Sequence, residues 1–131
     1  MNIDVKKMNV NEINSAVLAY IGDAVYEQKV REYLISRKIA NVNDLQKEAV
    51  NYVSCSSQAK ILDMLLLQQI FTEEELYTIN RARNYKPKSK PKHADIVIYK
   101  KATALEALFG MLFLNKDIKR IDFIFKKIIG D

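Results

Sequence analysis

The 131-residue sequence has one cysteine, two prolines, three glycines and no tryptophan. A lone Cys55 excludes an internal disulfide and suits a reducing compartment, most simply the cytoplasm. Scarce Gly and Pro, with no Asn-Gly or Asp-Gly pair, argue against a chain of hairpins and for helices. No apolar run approaches the roughly 18 residues that a membrane span needs. The segment Met1 to Val10 lacks the basic stretch and apolar core of a secretory signal. No membrane partner is expected. What is abundant is a globular mixture, 49% hydrophobic and 28% charged residues, which excludes a disordered tail or a collagen-like fibre. The length suits one domain over residues 1–131, large enough to bury a core without a structural metal.

Charge is unevenly placed. From Arg81 to Lys101 the sequence has eight bases (Arg81, Arg83, Lys86, Lys88, Lys90, Lys92, Lys100 and Lys101) and one acid, Asp95, a net of +7 over 21 residues. The other 110 residues hold 13 bases and 15 acids, a net of −2. A mildly acidic body with one basic strip is what a polyanion would select.

Helical spacing dominates. Ile13, Val17, Tyr20, Ile21, Ala24, Val25, Val30, Leu34 and Ile35 predict a long helix from about Ile13 to Ile39. Asn43 is read as the N-cap of a short helix with Leu45, Ala49, Tyr52 and Val53 on one face. Ser54 caps the next, which carries Ala59, Ile61, Leu62, Leu65, Leu66 and Ile70. Thr72-Glu73-Glu74-Glu75 is a capping box opening a helix that runs to about Asn84. Tyr85 to His93, with alternating lysines and both prolines, predicts an extended loop. Helix resumes near Asp95 and runs to Leu114. The last one starts at Asp117, with Ile118, Ile121, Ile124, Phe125 and Ile128 inward and Lys119, Arg120, Lys126 and Lys127 outward. The class is all-α, one domain of about six to seven helices.

Two acids interrupt apolar windows. Asp23 lies in Val17-Leu-Ala-Tyr-Ile-Gly-Asp-Ala-Val25 and Glu106 in Ala102-Thr-Ala-Leu-Glu-Ala-Leu-Phe-Gly-Met-Leu-Phe-Leu114. The pattern predicts both carboxylates buried, which costs several kcal/mol unless each is paired, protonated or metal-bound. No base lies within a turn of Asp23, and Lys101 falls largely on another face from Glu106. Two of the three glycines adjoin these acids: Gly22 is next to Asp23, and Gly110 is one turn after Glu106. A helix-interior glycine costs roughly 1 kcal/mol relative to alanine and permits close approach of another backbone. Two helices crossing at these glycines would bring the carboxylates together as a site for a hard divalent cation, Mg²⁺ foremost. Two structural readings stand beside it: Asp23 as an N-cap after a break at Gly22, and Glu106 paired with a base distant in sequence.

At these residues the sequence resembles the ribonuclease III family. Leu18-Ala-Tyr-Ile-Gly-Asp-Ala-Val25 is similar to its signature, Leu/Ile-Gly-Asp followed by small and aliphatic residues. Thr103-Ala-Leu-Glu-Ala-Leu-Phe-Gly110 is similar to its second motif, Asp-x-x-Glu-Ala-hydrophobic-hydrophobic-Gly. The likeness spans essentially the whole chain. With no room for the double-stranded-RNA-binding domain of larger members, it points to the short subfamily, Mini-ribonuclease III, which Asn80-Arg-Ala-Arg-Asn84 also resembles. Two glutamates of the larger members' first motif fall on Ala16 and Ala19 here, and Thr103 replaces the second motif's opening aspartate.

The resemblance implies Mg²⁺-dependent hydrolysis of double-stranded RNA, with Mn²⁺ as a substitute ion and Asp23 and Glu106 as the metal-binding and catalytic residues. It also implies a homodimer, a large-subunit ribosomal RNA precursor as substrate, and a ribosomal accessory protein as a further partner. Arg81, Arg83, Asn84, Lys86, Lys88, Lys90, Lys92 and His93 are the candidate RNA contacts, since duplex RNA is read by shape through phosphates and 2′-hydroxyls. Cys55 is read as a half-buried helix residue without catalytic work, and His93 as a phosphate contact or none. Two other functions fit the same features. One is a catalytically silent helical module that binds RNA or a ribosomal particle; the other is a helical interaction protein whose basic loop meets an acidic protein.

Overall fold

A computed structural model describes residues 9–86 and 95–130. A 3-10 turn, Val10–Glu12, leads into α1 (Ser15–Ser36), α2 (Val42–Val53), α3 (Cys55–Leu67), α4 (Glu73–Arg83), α5 (Ile96–Leu114) and α6 (Ile118–Ile129), with no strand among the described residues. The helix starts follow local chemistry. Ser54, Thr72, Asp95 and Asp117 each accept a backbone N–H of the helix they open, and Thr72 and Glu75 close a reciprocal capping box. Two starts differ from the spacing. α1 begins at Ser15, because Asn14 Oδ1 accepts from Ala16 N at 2.8 Å, and it stops at Ser36, two residues before Lys38 turns left-handed at φ +62°. Asn41, not Asn43, caps α2: it accepts from Asp44 N and donates back to the Asp44 carboxylate, both at 2.9 Å.

α5 is the central helix. Ala102, Ala104, Leu105 and every residue from Ala107 to Leu112 are buried, which covers nearly its whole circumference. α1, α3 and α4 pack along it, and α6 packs against it as well. Between them sit Leu18, Leu34, Leu62, Leu65 and Leu108, all essentially without solvent contact, each contributing roughly 1.5–3 kcal/mol. Tyr26 on α1 meets Phe109 and Phe125 edge-on at 5.3 and 6.4 Å. Its hydroxyl donates to the Tyr52 carbonyl at 2.7 Å, tying the end of α2 to α1. Burial pushes the Tyr26 phenol well up, so it remains the neutral donor that this bond requires.

α1 and α5 touch backbone to backbone. A Cβ placed on Gly22 would lie 1.7 Å from the Glu106 carbonyl oxygen, and one on Gly110 would lie 2.0 Å from the Leu18 carbonyl oxygen. Each helix therefore presents its glycine to the other's main chain. No larger residue fits either place.

Some outward and inward assignments change. Arg120 turns inward: its Nε and Nη2 donate to the Glu75 carboxylate at 2.7 and 2.8 Å, and Nη2 also reaches the Ile70 carbonyl. Glu75, only 2% exposed, carries one charge in two jobs, capping α4 and anchoring α6. Ile118 faces solvent, because the Asp117 cap places it on the outer side of the first turn of α6. On α1, Val17, Tyr20 and Ile35 also face outward, at 55%, 83% and 64% exposure, since α5 is already covered by Leu18, Ala19, Gly22 and Tyr26.

Three substitutions test this packing in urea melts. Gly22→Ala and Gly110→Ala should each lose roughly 2–3 kcal/mol or more, the size of forced overpacking, although alanine is the better helix former. Arg120→Ala should lose roughly 3 kcal/mol by leaving Glu75 buried and unpaired. Parent-like midpoints would remove the crossing, or the ion pair, from the stabilising contacts.

Candidate active site

The crossing at Gly22 and Gly110 determines where the acids go. Asp23 follows Gly22, and the Glu106 carbonyl is the atom against which Gly22 packs. The two side chains consequently leave their helices on the same side of the crossing, near enough that the Asp23 carboxyl raises the Glu106 carboxyl. The interior of α1 runs unbroken through Gly22 and Asp23, so Asp23 is not an N-cap.

Neither acid is deeply buried, contrary to the pattern. Asp23 is exposed and Glu106 half-buried. Gly22 occupies the contact line, and the next residue on a helix lies about 100° around the axis, which turns Asp23 to the lip of the crossing. Glu106 sits one step further in. The pair thus has a protein wall on one side and solvent on the other.

No cation of the described residues offsets them. Among the described residues the ion pairs are Lys29–Asp122, Arg31–Glu27, Arg37–Glu48, Lys101–Asp63 and Arg120–Glu75. Lys101, the nearest base in sequence to Glu106, is held 3.0 Å from Asp63 on α3. The distant-base reading of Glu106 therefore finds no partner among the described residues. Burial, then the Asp23 carboxyl as neighbour and as charge, push the Glu106 carboxyl up to about 8, and the Glu27 charge one turn beyond Asp23 adds to this. The Gln58 amide on α3 works in the opposite direction.

The positions where larger family members carry acids are spent otherwise. Ala16 is exposed and Ala19 packs in the core. The Thr103 hydroxyl donates to the Tyr99 carbonyl at 2.9 Å, a bond within α5. Among the described residues no cluster of three or more His, Cys, Asp or Glu forms a metal cage. Two carboxylates open to solvent are a donor set for a hard cation that keeps most of its waters.

The basic strip divides. Arg81 and Arg83 occupy the last turn of α4, Asn84 is its C-cap, and Lys86 follows. Lys88, Lys90, Lys92 and His93, and the extended loop expected there, lie outside the described residues. Arg81 stands out: its Nε and Nη2 are buried without a hydrogen-bond partner among the described residues, and its guanidinium lies 5.8 Å from the Tyr77 ring. It lines an open cleft of about 690 Å³ between the end of α4 and the start of α1, at Asn14 and Ser15. A second cleft of about 340 Å³ joins Arg83 and Asn84 to Lys100 and Lys101. Ser15 precedes Asp23 by eight residues, roughly 12 Å along α1, so the cationic cleft and the carboxylates share one helix.

Sequence reasoning missed Gln58 and Glu27. Gln58 carried a signal, an amide at helical spacing from Leu62 and Leu65 on an apolar face. Glu27 carried none, because an acid one turn from another on an exposed helix is ordinary.

The raised Glu106 carboxyl has a thermodynamic consequence. The folded protein keeps a proton that the unfolded chain releases above about 4.5, so stability falls as pH rises from there to about 8 and no further through this group. In EDTA, melting temperatures measured between about pH 5 and about pH 8 should decline less for Glu106→Gln than for the parent. Equal declines would mean that another group titrates.

Residues 16–117 match the ribonuclease III domain. Mini-ribonuclease 3 of Staphylococcus aureus is 39% identical over 121 residues, 92% of this chain and 90% of the relative. That of Brevibacillus brevis is 45% identical over 111 residues, 85% and 81%. A crystal structure of a Fusobacterium nucleatum protein superposes with a TM-score of 0.80 at 29% identity, covering 92% of this chain and 96% of that one. Motifs, helical order and relatives agree: the chain belongs to the ribonuclease III family, a family of endoribonucleases.

Proposed function

We propose that this protein is a divalent-cation-dependent endoribonuclease that hydrolyses phosphodiester bonds in double-stranded RNA, with Asp23 and Glu106 as the metal-binding and catalytic residues. The observation that carries the reading is the meeting of these two carboxylates at the glycine crossing with no basic partner among the described residues. Burial and the Asp23 carboxyl raise the Glu106 carboxyl, and a cation held between the two would favour its charged form. The donors are all oxygen, which suits Mg²⁺, with Mn²⁺ as substitute. When bound, the cation makes water a stronger nucleophile and offsets charge building on the scissile phosphate. Water adds to phosphorus, the bond to the 3′ oxygen breaks, and the ends are a 5′-phosphate and a 3′-hydroxyl. Asp23, at the lip, faces the incoming backbone, and Glu106 is fixed from behind by α5.

RNA binding falls to the basic strip. Arg81 lines an open cleft, and a guanidinium suits bidentate phosphate contacts. Arg83, Asn84 and Lys86 extend that surface, and Lys88, Lys90, Lys92 and His93 continue it in sequence. Val17 and Tyr20, exposed on the outer side of α1 beside the carboxylates, are the apolar surface that a second copy would cover, which supports a homodimer with one site per strand. Maturation of large-subunit ribosomal RNA precursor in the cytoplasm, with a ribosomal accessory protein, is the task that the subfamily resemblance implies. Consistent with this, none of the described helices is long and apolar enough to cross a membrane.

The test is cleavage of duplex RNA by the purified protein in Mg²⁺ and in EDTA, beside Asp23→Asn and Glu106→Gln. Cleavage should require the ion and fall at least about 100-fold in each variant, more than loss of an outer-shell partner costs, while gel-shift binding survives. Variants that cut at the parental rate would refute the site. Binding without cleavage by the parent would favour the silent RNA-binding module.

A further inference from the structure

The last turn of α4 is a ridge between the two cationic clefts. At about 100° per residue, Asn80 and Asn84 leave the helix in nearly the same direction, with Arg81 about 80° to one side of them and Arg83 about 80° to the other. The clefts follow this geometry. Asn80 and Asn84 line both of them, Arg81 lines the one that reaches Asn14 and Ser15, and Arg83 lines the one that reaches Lys100. Two exposed carboxamides, roughly 6 Å apart along the axis, thus stand between two guanidinium-bearing walls.

Helix formation does not call for either asparagine. Asn80 is exposed in the interior of α4, where asparagine is among the weaker helix formers. Asn84 ends the helix in right-handed geometry, at φ −93°, so it does not supply the left-handed turn for which asparagine often closes a helix. Phosphate is already provided for on both flanks: Arg83 and Lys100, for example, enter none of the ion pairs among the described residues. A neutral amide adds little to that attraction. What it adds is a donor and an acceptor on one group, the complement of a hydroxyl. An A-form duplex carries such hydroxyls between two rows of phosphates, because its minor groove is wide and shallow and displays the ribose 2′-OH. A helix end can meet the floor of such a groove while cations on its flanks meet a phosphate row on each side.

We infer that Asn80 is a specificity-determining residue of the RNA interface: its carboxamide, set between the two cationic clefts, engages a ribose 2′-hydroxyl in the minor groove and so separates RNA from DNA. This rests on the double-stranded-RNA reading of the basic strip. It adds to that strip a residue that carries no charge and selects the sugar rather than the phosphate.

The experiment is Asn80→Ala, which removes the amide at an exposed position where alanine is the better helix former. Binding is measured in EDTA by fluorescence anisotropy for the parent, Asn80→Ala and Arg83→Ala. The probes are a duplex RNA, the same duplex with 2′-fluoro in place of every 2′-hydroxyl, which keeps the A-form shape, and the corresponding duplex DNA. The parent should prefer the RNA to both other duplexes. Asn80→Ala should lose roughly 2–10-fold in RNA affinity, the worth of one hydrogen bond, and with it the preference over the 2′-fluoro duplex. Its salt dependence should match the parent's, whereas Arg83→Ala should lower the salt slope by about one. A preference over the 2′-fluoro duplex that survives in Asn80→Ala, or that the parent lacks, would overturn the proposal, as would a variant that does not fold. If the parent does not bind duplex RNA, or Arg83→Ala leaves the slope unchanged, the reading of the strip falls and this inference with it. If Arg83→Ala behaves as stated and Asn80→Ala keeps the preference, only the role of Asn80 falls.

Discussion

The molecule is organised by one steric constraint, the backbone contact of α1 and α5 at Gly22 and Gly110. With carbonyl oxygens where Cβ atoms would stand, the helices cannot slide or rotate past one another without a clash. That lock places Asp23 and Glu106 on a common side, where burial and the Asp23 carboxyl hold the Glu106 carboxyl above its usual range. Packing around the crossing keeps the arrangement fixed: Tyr26, Leu18, Leu105 and Phe109 are all fully buried beside it. A second negative charge at such a place is disfavoured because the rigid frame cannot move the two carboxyls apart.

The rest of the fold secures the frame at a distance. Glu75 and Arg120 join α4 to α6 through one buried carboxylate, and Arg120 also takes up the Ile70 carbonyl. Tyr26 ties α2 to α1 through Tyr52. Charges that could have quenched the carboxylates are engaged elsewhere: Lys101 with Asp63 and Lys29 with Asp122. The cations left for a polyanion gather at the α4 terminus, where Arg81 keeps two buried donors unmet. The guanidinium groups at the end of α4 and the carboxylates at the crossing thus sit on separate elements, so neither neutralises the other.

Much of this was legible in the chain. Asp23 and Glu106 were visible because acids are rare in apolar helical windows, and Gly22 and Gly110 because glycine is rare in helices and here keeps company with those acids. Ser54, Thr72, Asp95 and Asp117 announced helix starts through local hydrogen bonding. Asn43 misled because Asn41 stands two residues earlier with Asp44 in reach, and periodicity does not choose between two capping residues. Arg120 was placed outward because its partner is 45 residues away. Burial of Asp23 was overestimated, since apolar residues around a helix need not all face the core: Val17 and Tyr20 face out.

The sequence by itself determined what is local or periodic. It specified the all-helical class, the helix ends set by side-chain caps, the two acids beside two glycines, and the family those motifs mark, because each depends on residues within a few positions of one another. Only the tertiary structure decided what depends on long-range approach: that the two helices cross at the glycines, that one carboxylate sits at the lip and the other behind it, and that Arg120 serves Glu75. Those relations join positions from 45 to 88 residues apart, and no local propensity encodes which buried polar group will meet which.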